Sequence, residues 1–388
     1  VLMTKILYIC HPASIHDFKW MSFFSMQTDK YQVFATYENP GSVDKATVSQ
    51  IKASNITLLD SLYTFSFRKP FKILQSILRL RKFIKENEID LVHILMATPH
   101  SIWGNFIKVP HIITTRGTDV LITIPSMLKI RGFKRLYIGI INKLLRRSFL
   151  KAYRITSTSE AQANAINQIY HISDVSVIRT GVEVKKISSI TKTIKVEEHL
   201  GNKKFIFSPR HLNNPIYNTK MQIDAIPLLK KDLLNEYTFV FINKNNMFPE
   251  HLKNLTLQLQ ELKETIDFNF IIINRLSQEV LWQFYKKASL TIMTPMTDGT
   301  PNTALEAMAA KCPLIIPNLD YDKRIFSNSC LKLAENTPEC LAETITNAIS
   351  FYDQSFINNG FNNVKQFGNR ETEMRKLEAI YSTIKTVI

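Results

Sequence analysis

Apolar residues fall in this chain into two alternating patterns, short near-continuous runs and longer stretches at helical spacing. The runs "KILYIC" (5–10), "YQVFATY" (31–37), "NITLLD" (55–60) and "LVHILM" (91–96) read as strands. Polar turns and helical patterns separate them, beginning with His11-Pro12 and the amphipathic stretch around Trp20. "HIITTRGTDV" (111–120) reads as a strand ending in a glycine turn, "RITSTS" (154–159) runs into the helical "EAQANAINQIY", and "VSVIRTGVE" (175–183) closes this half. A polar, weakly patterned segment follows at 184–203. The alternation then restarts with "KFIFSPR" (204–210), "YTFVFIN" (237–243), "FNFIIIN" (268–274), "LTIMTPM" (290–296) and "CPLIIPN" (312–318). Strands alternating with helices predict βαβ units on mostly parallel sheets. Two successive α/β domains are expected: residues 1–183, a linker at 184–203, and 204–368.

Composition narrows the class. At 388 residues and 45% hydrophobic, the chain suits two domains with real cores. No apolar run reaches the roughly 18 residues of a membrane span. The opening "VLMTKILYIC" is short and strand-like for a signal peptide. Four cysteines without C-x-x-C spacing indicate neither a zinc ribbon nor a disulfide framework, and the expected location is cytoplasmic. H-E-x-x-H, G-x-S-x-G, P-loop and G-x-G-x-x-G patterns are absent.

Charge changes the picture. The net +16 is uneven: residues 1–183 hold 24 Lys+Arg against 12 Asp+Glu, the remainder 25 against 21. Between Asp60 and Glu86 no acid accompanies Arg68, Lys69, Lys72, Arg79, Arg81, Lys82 and Lys85. A second acid-free run, 126–154, carries Lys129, Arg131, Lys134, Arg135, Lys143, Arg146, Arg147, Lys151 and Arg154. Both runs also carry apolar residues at helical spacing. They read either as sheet-docked helices with a basic solvent face or as a docking surface for anionic lipid headgroups. No RNA-reading signature or helix-turn-helix accompanies the charge, so nucleic acid is not an expected partner.

The candidate chemistry lies in "LTIMTPMTDGTPNTALEAMAAK" (290–311), laid out as strand, loop and helix. In open α/β sheets, ligands bind at such strand-to-helix loops. Backbone amides and the Thr300 and Thr303 hydroxyls at a helix start suit phosphate. Glu306 and Asp298 would then accept hydrogen bonds from ligand hydroxyls. Equally, Asp298 and Thr303 would serve as helix caps and Glu306 as a solvated helix residue. The residues alone leave both readings open.

Asp298-x₇-Glu306 followed by "AMAAKCPLIIP" resembles the E-x₇-E block of the family 4 glycosyltransferases. Other passages fit in the same order. "HIITTRGTDV" resembles that family's HG-x-D turn, "FSPRHLNNPIYN" the loop opening its second domain, and "LSQEVLWQFYKKASLTIMTP" the approach to the acidic block. The resemblance implies a GT-B fold, with two Rossmann-like α/β domains facing a central cleft and a last helix (369–388) returning to the first domain. It implies a retaining transferase that moves a sugar from a nucleotide-sugar donor to a saccharide or lipid-linked acceptor, in bacterial surface polysaccharide synthesis. No cofactor and no metal are expected.

Carried over, the resemblance places Glu306 on the donor ribose and Asp298 on the transferred sugar. Gly299, Thr300, Pro301, Asn302 and Thr303 would hold the diphosphate, with Arg210 neutralising it and Lys220 assisting. In the first domain, Arg116 and Asp119 join the catalytic set, with Gly117 on the acceptor side; His16 is an acceptor-side candidate for a separate reason, because its strand-to-helix loop should face the crevice. Departures are visible. The first acid is Asp298 rather than Glu, Tyr217 falls near the place of the usual lysine, and Arg116 stands where the family has histidine. A non-catalytic sugar- or lipid-binding subunit, or another nucleotide-sugar enzyme on the same fold, remains an alternative.

Overall fold

The structure, a computed structural model, describes residues 3–11, 14–38, 45–63, 70–243 and 248–385. Arg68 and Lys69 of the first basic run lie outside the described residues. The chain divides into two compact units, one of residues 1–180 and 373–388, the other of residues 181–372.

Seven parallel strands form the first unit's sheet: β1 (Thr4–Ile9), β2 (Tyr31–Thr36), β3 (Ile56–Leu58), β4 (Leu91–Leu95), β5 (His111–Thr115), β6 (Arg154–Ser157) and β7 (Val175–Val177), in the order β3-β2-β1-β4-β5-β6-β7. Successive side chains alternate between two core layers: Leu7 and Ile9 enter one, Ile6 and Tyr8 the other. Helices cover both faces, so the apolar runs needed no polar alternation. The last helix, Arg370–Lys385, contributes Met374, Leu377, Tyr381 and Ile384 to the layer of Ile6 and Tyr8. The Tyr381 hydroxyl meets Tyr8 Oη at 2.9 Å and His93 Nδ1 at 2.5 Å.

The second unit carries six parallel strands: β8 (Lys204–His211), β9 (Tyr237–Asn243), β10 (Asn269–Asn274), β11 (Leu290–Ile292), β12 (Leu314–Ile316) and β13 (Leu331–Lys332), ordered β10-β9-β8-β11-β12-β13. β13, two residues long, carries no legible pattern. The segment expected as a linker is instead folded. Helices Val184–Ser188 and Ile194–Leu200 bury Val184, Ile187, Val196 and Leu200 in the second unit's core. Their four apolar contacts are spread over a lysine-rich stretch, so their periodicity is weak in sequence.

Both sheets reverse their strand order beside their first strand, between β1 and β4 and between β8 and β11. Loops at the carboxyl ends diverge there and leave a crevice.

Candidate functional site

In the second unit, β8 delivers Arg210 to this reversal. Its register against β9 slips between Ser208 and His211, where Pro209 has no N–H for the ladder. The bulge takes Arg210 out of the regular pairing. The loop after β11 is tied to the turn after β8: Met296 N–H donates to the Ile216 carbonyl (2.8 Å), and the Thr294 hydroxyl to that of Asn218 (3.0 Å). This brings Asp298 to Arg210, whose Nη2 donates to Asp298 Oδ2. Asp298 Oδ1 accepts from the Gly299 N–H (2.9 Å), and the Arg210 guanidinium lies 4.7 Å from the centre of the Tyr217 ring. Tyr217 thus stacks on the arginine at the place where a lysine was expected.

Burial opposes the charge on Arg210. The Asp298 carboxylate, with Tyr217, Tyr285 and Tyr321 around it, outweighs that and raises the arginine's pKa above its ordinary value. Burial and the nearby Glu306 carboxylate push the Tyr285 phenol well up; burial and Asp298 do the same to Tyr321.

Helix Asn302–Ala309 buries Glu306 to 3% exposure, and Glu306 Oε1 accepts from Gln278 Nε2 at 2.8 Å. Glu306 is therefore not a solvated helix residue. Nor do Asp298 and Thr303 cap the helix: Pro301 occupies the N-cap with no side-chain bond, and the Thr303 hydroxyl contacts Met293 Sδ at 3.0 Å. Gly299 and Pro301 are buried, while Thr300, Asn302 and Thr303 are half-buried. Four buried polar atoms here have no partner among the described residues: Arg210 Nε, Thr300 Oγ1, Tyr285 Oη and Tyr321 Oη. Such orphans cost about 1–3 kcal/mol each unless a bound molecule or water supplies the missing partners.

Lys220 is not part of this cluster. Its ammonium pairs with Asp224 at 2.7 Å, one turn along helix Thr219–Ala225, and is largely exposed. The sequence reading missed Gln278, Tyr285 and Tyr321. Gln278 and Tyr285 lie within the 276–295 passage that resembles the family's approach to the acidic block, but their convergence with Tyr321 on this cluster comes only through folding.

In the first unit, the turn after β5 is organised by Asp119, 1% exposed. Its carboxylate accepts backbone N–H bonds from Ala97 (2.7 Å), Arg116 (3.0 Å), Gly117 (2.9 Å) and Val120 (2.9 Å). Burial raises its pKa despite those bonds. Asp119 accordingly clasps the ends of β4 and β5, its carboxylate held by backbone N–H groups. Gly117, at φ +113°, allows the turn a conformation that side chains disfavour.

Arg116 Nη2 donates to Asp17 Oδ1 (2.5 Å), and its guanidinium lies 5.1 Å from the Trp20 ring. Its Nε and Nη1 are buried without a partner among the described residues. Asp17, which the sequence reading did not single out, is 4% exposed and also accepts from the His11 N–H at 2.9 Å. Burial raises its carboxyl pKa, with Arg116 pulling the other way. His16 is exposed on helix Ile15–Ser25.

Comparison with known proteins divides the chain as the sheets do. Residues 5–159 match the family described as "Glycosyl transferase 4-like", and residues 189–361 match "Glycosyl transferases group 1". No curated protein matches the sequence. Among solved structures, a glycosyltransferase from Rickettsia africae is similar over 99% of both chains, with TM-score 0.78 at 15% identity. HepE from Anabaena, solved in complex with UDP, covers 98% of this chain and 100% of its own, with TM-score 0.77 and 14% identity. Sucrose-phosphate synthase from Thermosynechococcus elongatus covers 99% and 100%, with TM-score 0.75 and 11% identity. At such identities the likeness speaks for the fold: two parallel-sheet α/β units of the GT-B type.

Proposed function

The chain belongs to the group 1, family-4-like glycosyltransferases, and on that premise we propose that it moves a sugar from a nucleotide-sugar donor to a saccharide or lipid-linked acceptor. The observation that carries the reading is the set of buried polar atoms around Arg210, Asp298 and Glu306 that have no partner among the described residues. In this reading Glu306 accepts hydrogen bonds from the ribose and Asp298 from hydroxyls of the transferred sugar. The diphosphate lies on backbone amides of residues 299–303 and on Arg210, whose Nε is unpartnered among the described residues.

The acceptor hydroxyl attacks the anomeric carbon from the face the diphosphate leaves, so configuration is retained. The bond from that carbon to the diphosphate oxygen breaks, and its electron pair stays on the departing diphosphate. The acceptor's proton passes to a diphosphate oxygen. Negative charge grows on the leaving group, and a guanidinium and helix amides already aimed at it stabilise that charge more in the transition state than before. Because these groups supply positive charge, we infer that transfer needs no divalent ion. Assembly of a bacterial surface polysaccharide at the inner membrane face is the setting the family analogy suggests.

Calorimetric titration with nucleoside diphosphates in EDTA tests the donor site. UDP comes first, because HepE is solved with UDP and with UDP-glucose. We expect one nucleotide to bind wild type without metal and Glu306→Ala to bind at least about tenfold more weakly. No binding of any nucleotide would sink the assignment. A second reading, a non-catalytic sugar-binding subunit, is favoured by the engagement of Lys220 with Asp224. Tight donor binding with neither hydrolysis nor transfer across an acceptor panel would move it ahead.

A further inference from the structure

Helix Lys134–Lys151 has two apolar faces. Ile141, Leu145 and Phe149 are buried against the first unit's sheet. Phe133, Leu136, Tyr137 and Ile140 follow the i, i+3, i+4, i+7 spacing of a second stripe, 97%, 75%, 45% and 51% exposed. The segment before it adds exposed Leu128 and Ile130. Every residue from Leu128 to Tyr137 is exposed, and Lys129, Arg131, Lys134 and Arg135 are interleaved with the apolar ones. None of these four cations has an ion-pair partner among the described residues. Helix Pro70–Glu86 packs on the same core layer through Ile77, Leu80 and Ile84 and likewise exposes Phe71, Leu74 and Leu78, with Lys72, Arg79 and Lys82 exposed beside them.

An exposed apolar stripe beside Lys129, Arg131, Lys134 and Arg135, which have no ion-pair partner among the described residues, fits one kind of surface, an anionic bilayer. Its headgroups meet the charges while the side chains enter the acyl boundary. A second copy of the chain fits poorly, because a two-fold contact would set like charges against one another. No helix among the described residues is long and apolar enough to cross a membrane. From this geometry we infer that residues 128–140 dock the first unit on anionic lipid, with Phe133 and Leu136 inserting and Lys134 and Arg135 on the headgroups. This stands on the surface itself and does not depend on the transfer reaction.

Sedimentation of the full chain with vesicles of phosphatidylcholine, with and without phosphatidylglycerol, tests it. Binding is expected only with phosphatidylglycerol and falls as salt is raised. Lys134→Gln with Arg135→Gln should weaken it about fivefold per residue, and Phe133→Ser with Leu136→Ser by about tenfold or more. All four side chains are exposed, so both variants keep the core. Absence of binding to phosphatidylglycerol vesicles, equal binding to both vesicle types, or binding that both variants leave unchanged would overturn the proposal. So would a lipid-free dimer that Phe133→Ser with Leu136→Ser disperses, since that assigns the stripe to self-association. Nucleotide titration of the same variants should match wild type, which separates a failure here from a failure of the donor site.

Discussion

A carboxylate buried to 3% exposure on an alanine-rich helix costs free energy unless other groups answer its charge. Gln278 answers one oxygen of Glu306, and the Tyr285 hydroxyl, without a partner among the described residues, is raised in pKa by burial and then by this carboxylate. Glu306→Gln keeps the shape but replaces one acceptor oxygen with a donor. It should leave the melting temperature nearly unchanged while weakening nucleotide binding about tenfold, read by calorimetry beside differential scanning. Arg210→Lys loses both the planar fork and the Tyr217 stack, and should lower kcat by about a hundredfold or more. A kcat within a few-fold of wild type would mean that Arg210 does not stabilise the leaving group. Asp119→Ala strips the acceptor from four backbone N–H groups and should cost about 2–4 kcal/mol in urea denaturation. At this scale the acids at 298 and 306 were legible from spacing and family resemblance. Asp17, Gln278, Tyr285 and Tyr321 were not, because each matters only through neighbours distant in the chain.

Turns and helices respond to different constraints. Gly117 sits at φ +113°, and a Cβ there would lie 3.3 Å from Gln162 Nε2. Gly117→Ala should therefore destabilise the protein by about 1–3 kcal/mol, measured as a fall in the denaturation midpoint. It should also disturb the bond from Thr115 Oγ1 to Gln162 Oε1 (2.9 Å) that holds the helix after β6. Helical spacing marked the run 126–154, yet the same spacing describes both stripes of helix Lys134–Lys151. Which one is buried follows from where the sheet lies. The helices at 184–188 and 194–200 show the converse: weak periodicity overridden by a core that accepts Val184, Ile187, Val196 and Leu200.

Across the molecule, burial sets the response to acid. His93, His100 and His111 are all lowered by burial, His100 to about 4, with nearby Arg116, His11 and Lys151 adding respectively to the effect. Unfolded imidazoles titrate near 6.5, so below about pH 6.5 the unfolded chain takes up protons the folded one refuses. Stability is therefore full above that pH and declines toward pH 4, by up to about 1.4 kcal/mol per pH unit for each imidazole. Asp17 and Asp119, whose pKa values burial raises, act in the opposite sense and make the decline shallower. Urea midpoints that fall between pH 7.5 and 5 would agree; a flat profile would mean that these imidazoles are not held neutral.

The order of apolar runs and helical stretches determined the two α/β units and their parallel strands, because strand and helix periods are local properties of the backbone. The motif at 297–318 pointed to the family. Folding alone decided that Glu306 is buried rather than solvated, that Arg116 pairs with Asp17 across 99 positions, and that Lys220 turns to Asp224 instead of Arg210. Burial and pairing depend on which distant segments meet, and no short-range period records that meeting.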